Sequence, residues 1–103
     1  MKKRFVVMID SSTDEQNNEF LKWVKKEKVG WWHWINNSWL ISNRSGHLSA
    51  GTIRDKITEI FPGENTLVIE LSEGEGTWSG YGPTKEGNDM FRWIKENWNQ
   101  QEK

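Results

Sequence analysis

The chain has 103 residues with 14 Lys and Arg against 15 Asp and Glu, a formal net charge of −1, and no cysteine. That length fits one domain and leaves no room for a second. The charge balance gives no global positive field to hold a long nucleic-acid duplex, and the missing cysteines exclude a disulfide framework or a thiolate metal site.

The opening MKKRFVVMIDSS sets basic residues before an apolar run, Phe5 to Ile9, that is too short for a signal peptide or a membrane span. A cytoplasmic, soluble protein with no membrane partner is the expectation. The run reads as a buried strand that delivers Asp10 to its carboxyl end. Thr13 with Gln16, or Ser12 with Glu15, fits a capping box opening a helix to about Lys26. Phe20, Leu21, Trp23 and Val24 form its apolar stripe, and Lys22, Lys25, Lys26 and Lys28 its solvent side.

Next comes GWWHWINNSWLIS, with four of the eight tryptophans between Trp31 and Ser42. Two aromatic and β-branched runs meet at Asn36-Asn37-Ser38, and Asn tolerates the left-handed backbone that a tight turn demands, so a β-hairpin is predicted. A two-residue loop sets Trp34 opposite Trp39. Trp32, Trp34, Trp39 and Ile41 then share one face, and Trp31, His33, Ile35, Leu40 and Ser42 the other. Both faces are largely apolar and need covering.

Asn43 to Leu48 is a polar turn, and Ser49 caps a second helix with Ile53, Ile57, Ile60 and Phe61 on one face, stopped by Pro62-Gly63. Thr66 to Leu71 reads as a strand with Leu67, Ile69 and Leu71 on one face. The order β-α-β-β-α-β is ferredoxin-like: an α+β antiparallel sheet with both helices on one face. With Phe5, Val7, Ile9, Trp39, Ile41, Leu67 and Ile69 toward the helices, the other face holds Val6, Met8, Trp31, Ile35, Leu40 and Val68. A surface that apolar predicts a homodimer.

Ser72 to Glu86 is a glycine-rich loop around Trp78 and Tyr81, with a short edge strand expected at 77–81. It lacks the lysine and hydroxyl pair of a phosphate loop. Asn88 is the expected cap of a third helix bearing Met90, Phe91, Ile94 and Trp98, and the tail from Asn99 is expected to fray. The whole is one domain, residues 1–103, with a core over 4–78 and a C-terminal extension over 79–103.

The βαββαβ order, the strand FVVMID ending in aspartate and the compact length resemble the Cas-two-like superfamily, which includes the small CRISPR adaptation nuclease and the VapD-type ribonuclease toxins. WWHWINNSWLIS, the IRDK helix and the LVIEL strand are similar to small bacterial and phage proteins labelled SinR-like, over roughly Arg4 to Trp78. The resemblance implies a magnesium-binding aspartate at a dimer interface, here Asp10, and a setting in phage and host defence. Ser38 stands where those nucleases carry an arginine- or serine-bearing stretch, with no arginine nearby.

Asp10 is the candidate for metal binding and for catalysis in a magnesium-dependent endoribonuclease, against the plainer role of capping a turn. His33 has the chemistry of an acid or base but sits among tryptophans, where packing is the commoner role. His47, in a polar turn, carries no special expectation. Trp23, Trp39 and Trp98 fall on core stripes, while Trp31, Trp32, Trp34, Trp78 and Trp93 exceed what a small core holds. Indoles stack on nucleobases, with Arg44, Lys85 or Arg4 available for phosphate. The ligand residues expected are therefore Trp31, His33, Trp34, Arg44, Trp78 and Tyr81. The reading that follows is a non-enzymatic binding protein for a nucleotide, cyclic nucleotide or short oligonucleotide. The alternatives are the endoribonuclease and a protein-interaction module.

Overall fold

The computed structural model describes residues 2–71, 80 and 82–98. In chain order these form β1 (Lys3–Ile9), α1 (Asp14–Lys26), β2 (Gly30–Ile35), β3 (Ser38–Asn43), α2 (Ala50–Ile60) and β4 (Thr66–Leu71). A small hairpin of β5 (Thr84–Lys85) and β6 (Asn88–Asp89) follows, then a π-helical turn at Ile94–Trp98. The main sheet has the order β2-β3-β1-β4 with every neighbouring pair antiparallel, the ferredoxin-like arrangement. The edge strand expected at 77–81 and the fraying tail lie outside the described residues.

Local signals set the helix ends. Thr13 Oγ1 accepts from the Gln16 backbone N–H at 3.1 Å and Gln16 Oε1 accepts from the Thr13 N–H at 3.0 Å, a full capping box. Ser49 caps α2 by accepting from Thr52 N at 3.1 Å. The third helix departs from expectation. Asn88 lies in β6, and it is Asp89 Oδ1 that accepts from Phe91 N at 2.9 Å, because Gly87 at φ 80° closes a hairpin first.

The helices bury one face of the sheet. Phe5, Val7, Ile9, Trp39 and Ile41 pack with Phe20 and Val24 of α1, Ile53, Ile57 and Ile60 of α2, and Phe61. Each such burial stabilises by roughly 1.5–3 kcal/mol before entropy is counted.

Two strands take the opposite phase to the one expected. In the hairpin Ile35 pairs with Ser38, but Trp32 pairs with Leu40 and Trp31 with Ile41, so His33 and Trp34 together oppose Trp39 alone. That extra residue is a β-bulge, and a one-residue slip moves every side chain beyond it to the other face. Trp31 therefore joins the helix-side core and Trp32 the far face, the reverse of the expected pattern. Neither Asn36 nor Asn37 takes a positive φ; among described non-glycine residues only Lys28 does. A turn at negative φ splays its strands, and the bulge absorbs that mismatch. In β4, Val68 pairs with Val7 and packs on the helix-side core, while Leu67 and Ile69 pair with Met8 and Val6 on the far face.

The far face is covered in part by the chain itself. Trp32, Met90, Phe91, Ile94 and Trp98 form a second core, with Val6, Leu40, Leu71 and Trp93 packed against it. Trp32 Nε1 donates to the Met90 carbonyl at 2.7 Å. The end of the C-terminal segment is held by two basic residues of the first strand region. Lys2 Nζ donates to Asn97 O at 2.6 Å, and Arg4 donates to Trp98 O at 3.3 Å with its guanidinium 5.4 Å from the Trp98 ring. The carbonyls ending a helix lack internal partners, and cations are their natural complement.

Candidate functional site

A pocket of about 390 Å³ opens where four elements end together. Glu27 and Lys28 follow α1, Gly30 begins β2, Ser42 nears the end of β3, Arg44, Ser45 and His47 belong to the following turn, and Trp93 and Asn97 come from the C-terminal segment. Gly30 has a local reason to be glycine. A Cβ there would stand 3.1 Å from Trp93 Cζ2, so the missing side chain lets the indole close over the sheet end.

Lys28 carries φ 58°, the left-handed conformation usually left to glycine just past a helix. Arg44 and Lys28 are exposed, and neither has an ion-pair partner among the described residues. Glu27, the carboxylate lining the pocket, is 3.0 Å from His47 Nε2 and so is already paired. The pocket thus combines a half-buried indole, two cations with no acidic partner among the described residues, and the Asn97 amide.

The turn from Asn43 to Leu48 is fixed by Asn43. This side chain is 1% exposed, accepts from Leu48 N at 2.8 Å, and directs its Nδ2 at Ser45 Oγ and His47 Nδ1 at 3.1 and 3.2 Å. Ser45 Oγ also hydrogen-bonds His47 Nδ1 directly. Because a carboxylate only accepts, the Glu27 bond places a proton on His47 Nε2, and in the tautomer that carries only that proton Nδ1 accepts.

Of the expected ligand residues that the structure describes, Arg44 alone lines this pocket. Trp31 is half-buried against the helix-side core, 6.3 Å from Trp39. His33 stacks on Trp39, and its Nε2 lies 2.8 Å from Asn36 O. Trp34, at the hairpin end of β2, is separated from Arg44 by most of a strand, about 17 Å at ~3.4 Å per residue. Trp78 and Tyr81 lie outside the described residues. Arg4, considered for phosphate, is instead buried and engaged with Trp98. Trp93 stands out in the sequence only as one surplus indole among five, and nothing there links it to Lys28 or to Ser45, His47 and Glu27, since the folded chain alone brings them together.

Asp10 lies in a second, shallower cleft lined also by Met8, Asn37, Ser38, Asn65 and Thr66. Asn65 Nδ2 donates to Asp10 Oδ2 and Asn37 Nδ2 to the Asp10 carbonyl, both at 3.3 Å. Asp10 is the only carboxylate of that lining, and no group of three or more His, Cys, Asp and Glu able to hold a metal occurs among the described residues.

No protein-family model, curated protein or solved structure matches the chain. Fold and site define an α+β, ferredoxin-like protein with a C-terminal segment folded onto the free sheet face. No helix among the described residues is long and apolar enough to cross a membrane.

Proposed function

We propose that the chain is a small-ligand-binding module that takes a nucleotide or short oligonucleotide in the pocket beside Trp93, within the phage and host defence setting that the resemblance implies. The observation that carries this reading is an indole and two cations that have no ion-pair partner among the described residues, all around a single pocket. A base stacked on an indole gains roughly 1–3 kcal/mol, and Arg44 and Lys28 supply the charge for one or two phosphates. The near-neutral whole suits a short ligand better than a long duplex.

The test is thermal unfolding against mononucleotides, cyclic nucleotides and short oligonucleotides, with and without magnesium, followed by chromatography of the ligand. A ligand bound only by the folded state raises the midpoint as its concentration passes Kd. The expected result is such a shift with the ligand recovered intact, weakened in Trp93→Ala and Arg44→Ala. A panel without any shift overturns the reading.

A second reading concerns the uncovered end of the far face. Ile35, Met8, Leu67 and Ile69 adjoin through the pairings Met8–Ser38–Ile35, Met8–Leu67 and Val6–Ile69, and Ile35, Leu67 and Ile69 are 52%, 54% and 40% exposed. Such a row supports association of two copies. Light scattering after size exclusion tests it: a dimer that Leu67→Glu converts to monomer supports the reading, and a monomeric parent removes it.

A further inference from the structure

The nucleotide reading uses Trp93, Arg44 and Lys28 and leaves the other wall of the pocket without a role. That wall is a directed chain of hydrogen bonds. Glu27 Oε1 is 3.0 Å from His47 Nε2, Ser45 Oγ bonds His47 Nδ1, and Asn43 Nδ2 stands 3.1 Å from Ser45 Oγ. Proton accounting gives each bond a sense. Glu27 accepts from Nε2–H, and in the neutral ring Nδ1 then holds a lone pair toward which both the Ser45 hydroxyl and, at 3.2 Å, Asn43 Nδ2 are directed, Asn43 Nδ2 also donating to Ser45 Oγ. A hydroxyl whose proton points at an imidazole held by a carboxylate is the arrangement of an activated nucleophile. The ring is turned so that Nδ1 serves the serine and Nε2 the acid, which leaves the proton transfer chemically the same. Ser45 is exposed and lines the pocket, so a substrate can reach it.

We propose that Ser45 is a nucleophile that takes the acyl group of small carboxylic esters bearing an anionic group, with His47 as its general base and Glu27 orienting the imidazole. Ser45 Oγ attacks the ester carbonyl carbon and its proton passes to His47 Nδ1. The tetrahedral species collapses with cleavage of the ester C–O bond, and the alcohol leaves with that proton. Water, deprotonated by His47, then attacks the acyl-serine and returns acid and free Ser45. Arg44 and Lys28, which line the same pocket, meet the substrate's negative charge and the developing oxyanion.

The same bonds also tie the Asn43–Leu48 turn to the end of α1, and a tie alone would not raise the reactivity of one hydroxyl. The experiment therefore reads reactivity. Full-length protein is treated with a fluorophosphonate, which forms an Oγ–P bond as the P–F bond breaks and fluoride leaves, and the labelled peptide is identified by mass spectrometry. The expected result is labelling of Ser45 about 100-fold or more faster than in the urea-unfolded chain, slowed by a similar factor in His47→Gln. It is also slowed, less severely, in Glu27→Gln, while Ser45→Ala takes up no label. Circular dichroism and the melting midpoint of each variant are recorded alongside. Should His47→Gln fail to fold, the folded-to-unfolded ratio of the parent decides. Labelling no faster than in urea, or an undiminished rate in folded His47→Gln, overturns the proposal. Nucleotide-induced melting shifts are read separately, so labelling without a shift removes the nucleotide reading and keeps this one, and the converse holds.

Discussion

His33 lies flat on Trp39, ring centroids 3.7 Å apart and planes 8° from parallel. That contact exists because β2 spends two residues where β3 spends one, which turns His33 toward the helices beside Trp39. The bulge thereby decides which tryptophans enter which core, and the clearest consequences concern Trp39 and Trp32.

Trp39 is 1% exposed, meets Phe20 edge-on at 4.9 Å, and its Nε1 has no hydrogen-bond partner among the described residues. Trp32 is buried as well, but its Nε1 donates to Met90 O. Both Trp→Phe changes lose ring volume. At 32 the change also strands a buried carbonyl, worth about 1–3 kcal/mol, whereas at 39 it removes an unpaired N–H. Urea unfolding should show Trp32→Phe to be the more destabilising, although Trp39 is the deeper residue. The reverse order would mean that the Trp32 bond is not formed.

Lys28 occupies the left-handed region at a cost of about 1–2 kcal/mol for a residue with a Cβ. Glycine removes that cost but loses more chain entropy on folding, so Lys28→Gly should gain about 0.5–1 kcal/mol in urea unfolding. It should also weaken nucleotide binding in the same preparation, because one of the two cations without acidic partners at the pocket is gone. Loss of stability would show that the lysine stem packs in a way the backbone argument omits.

Gly30→Ala places a methyl 3.1 Å from Trp93 Cζ2. The indole is half-buried and can yield by a few tenths of an ångström, so the stability cost should stay near 1 kcal/mol or below. The pocket wall moves with it. Nucleotide titrations should therefore show a larger loss in affinity than urea unfolding shows in stability; equal affinity in Gly30→Ala and parent would take Trp93 out of the site.

Arg4 ties the end of the C-terminal segment to β1 through Trp98. A buried hydrogen bond from a charged group together with its ring contact is worth about 2–3 kcal/mol. Arg4→Ala should cost that much. It should also speed hydrogen exchange at 90–98 ahead of α1 and α2, since the second core depends on that segment staying down. Uniform acceleration across the chain would show instead that the two cores unfold as one.

Much of the fold was legible from local chemistry. The Thr13–Gln16 box, Ser49 before α2, the isoleucine spacing of α2 and the valine-rich β1 each act within a few residues, so sequence alone marks the elements and their ferredoxin-like order. Arg44 could be picked out as a cation in a turn, but nothing local marks Trp93, Lys28, Ser45 or Glu27 as its neighbours.

What only tertiary structure decided is the phase of two strands and the pocket that depends on it. Side-chain alternation has period two, so the bulge between Trp32 and Ile35 exchanges Trp31 for Trp32 without changing a letter of the pattern. In β4 the apolar alternation pointed Leu67 and Ile69 toward the helices, yet pairing with β1 sets Val68 there. Hydrophobicity marks the helix face only where the other face is wet. Here the C-terminal segment folds back over part of that face, making both sides apolar and leaving long-range pairing to choose between them.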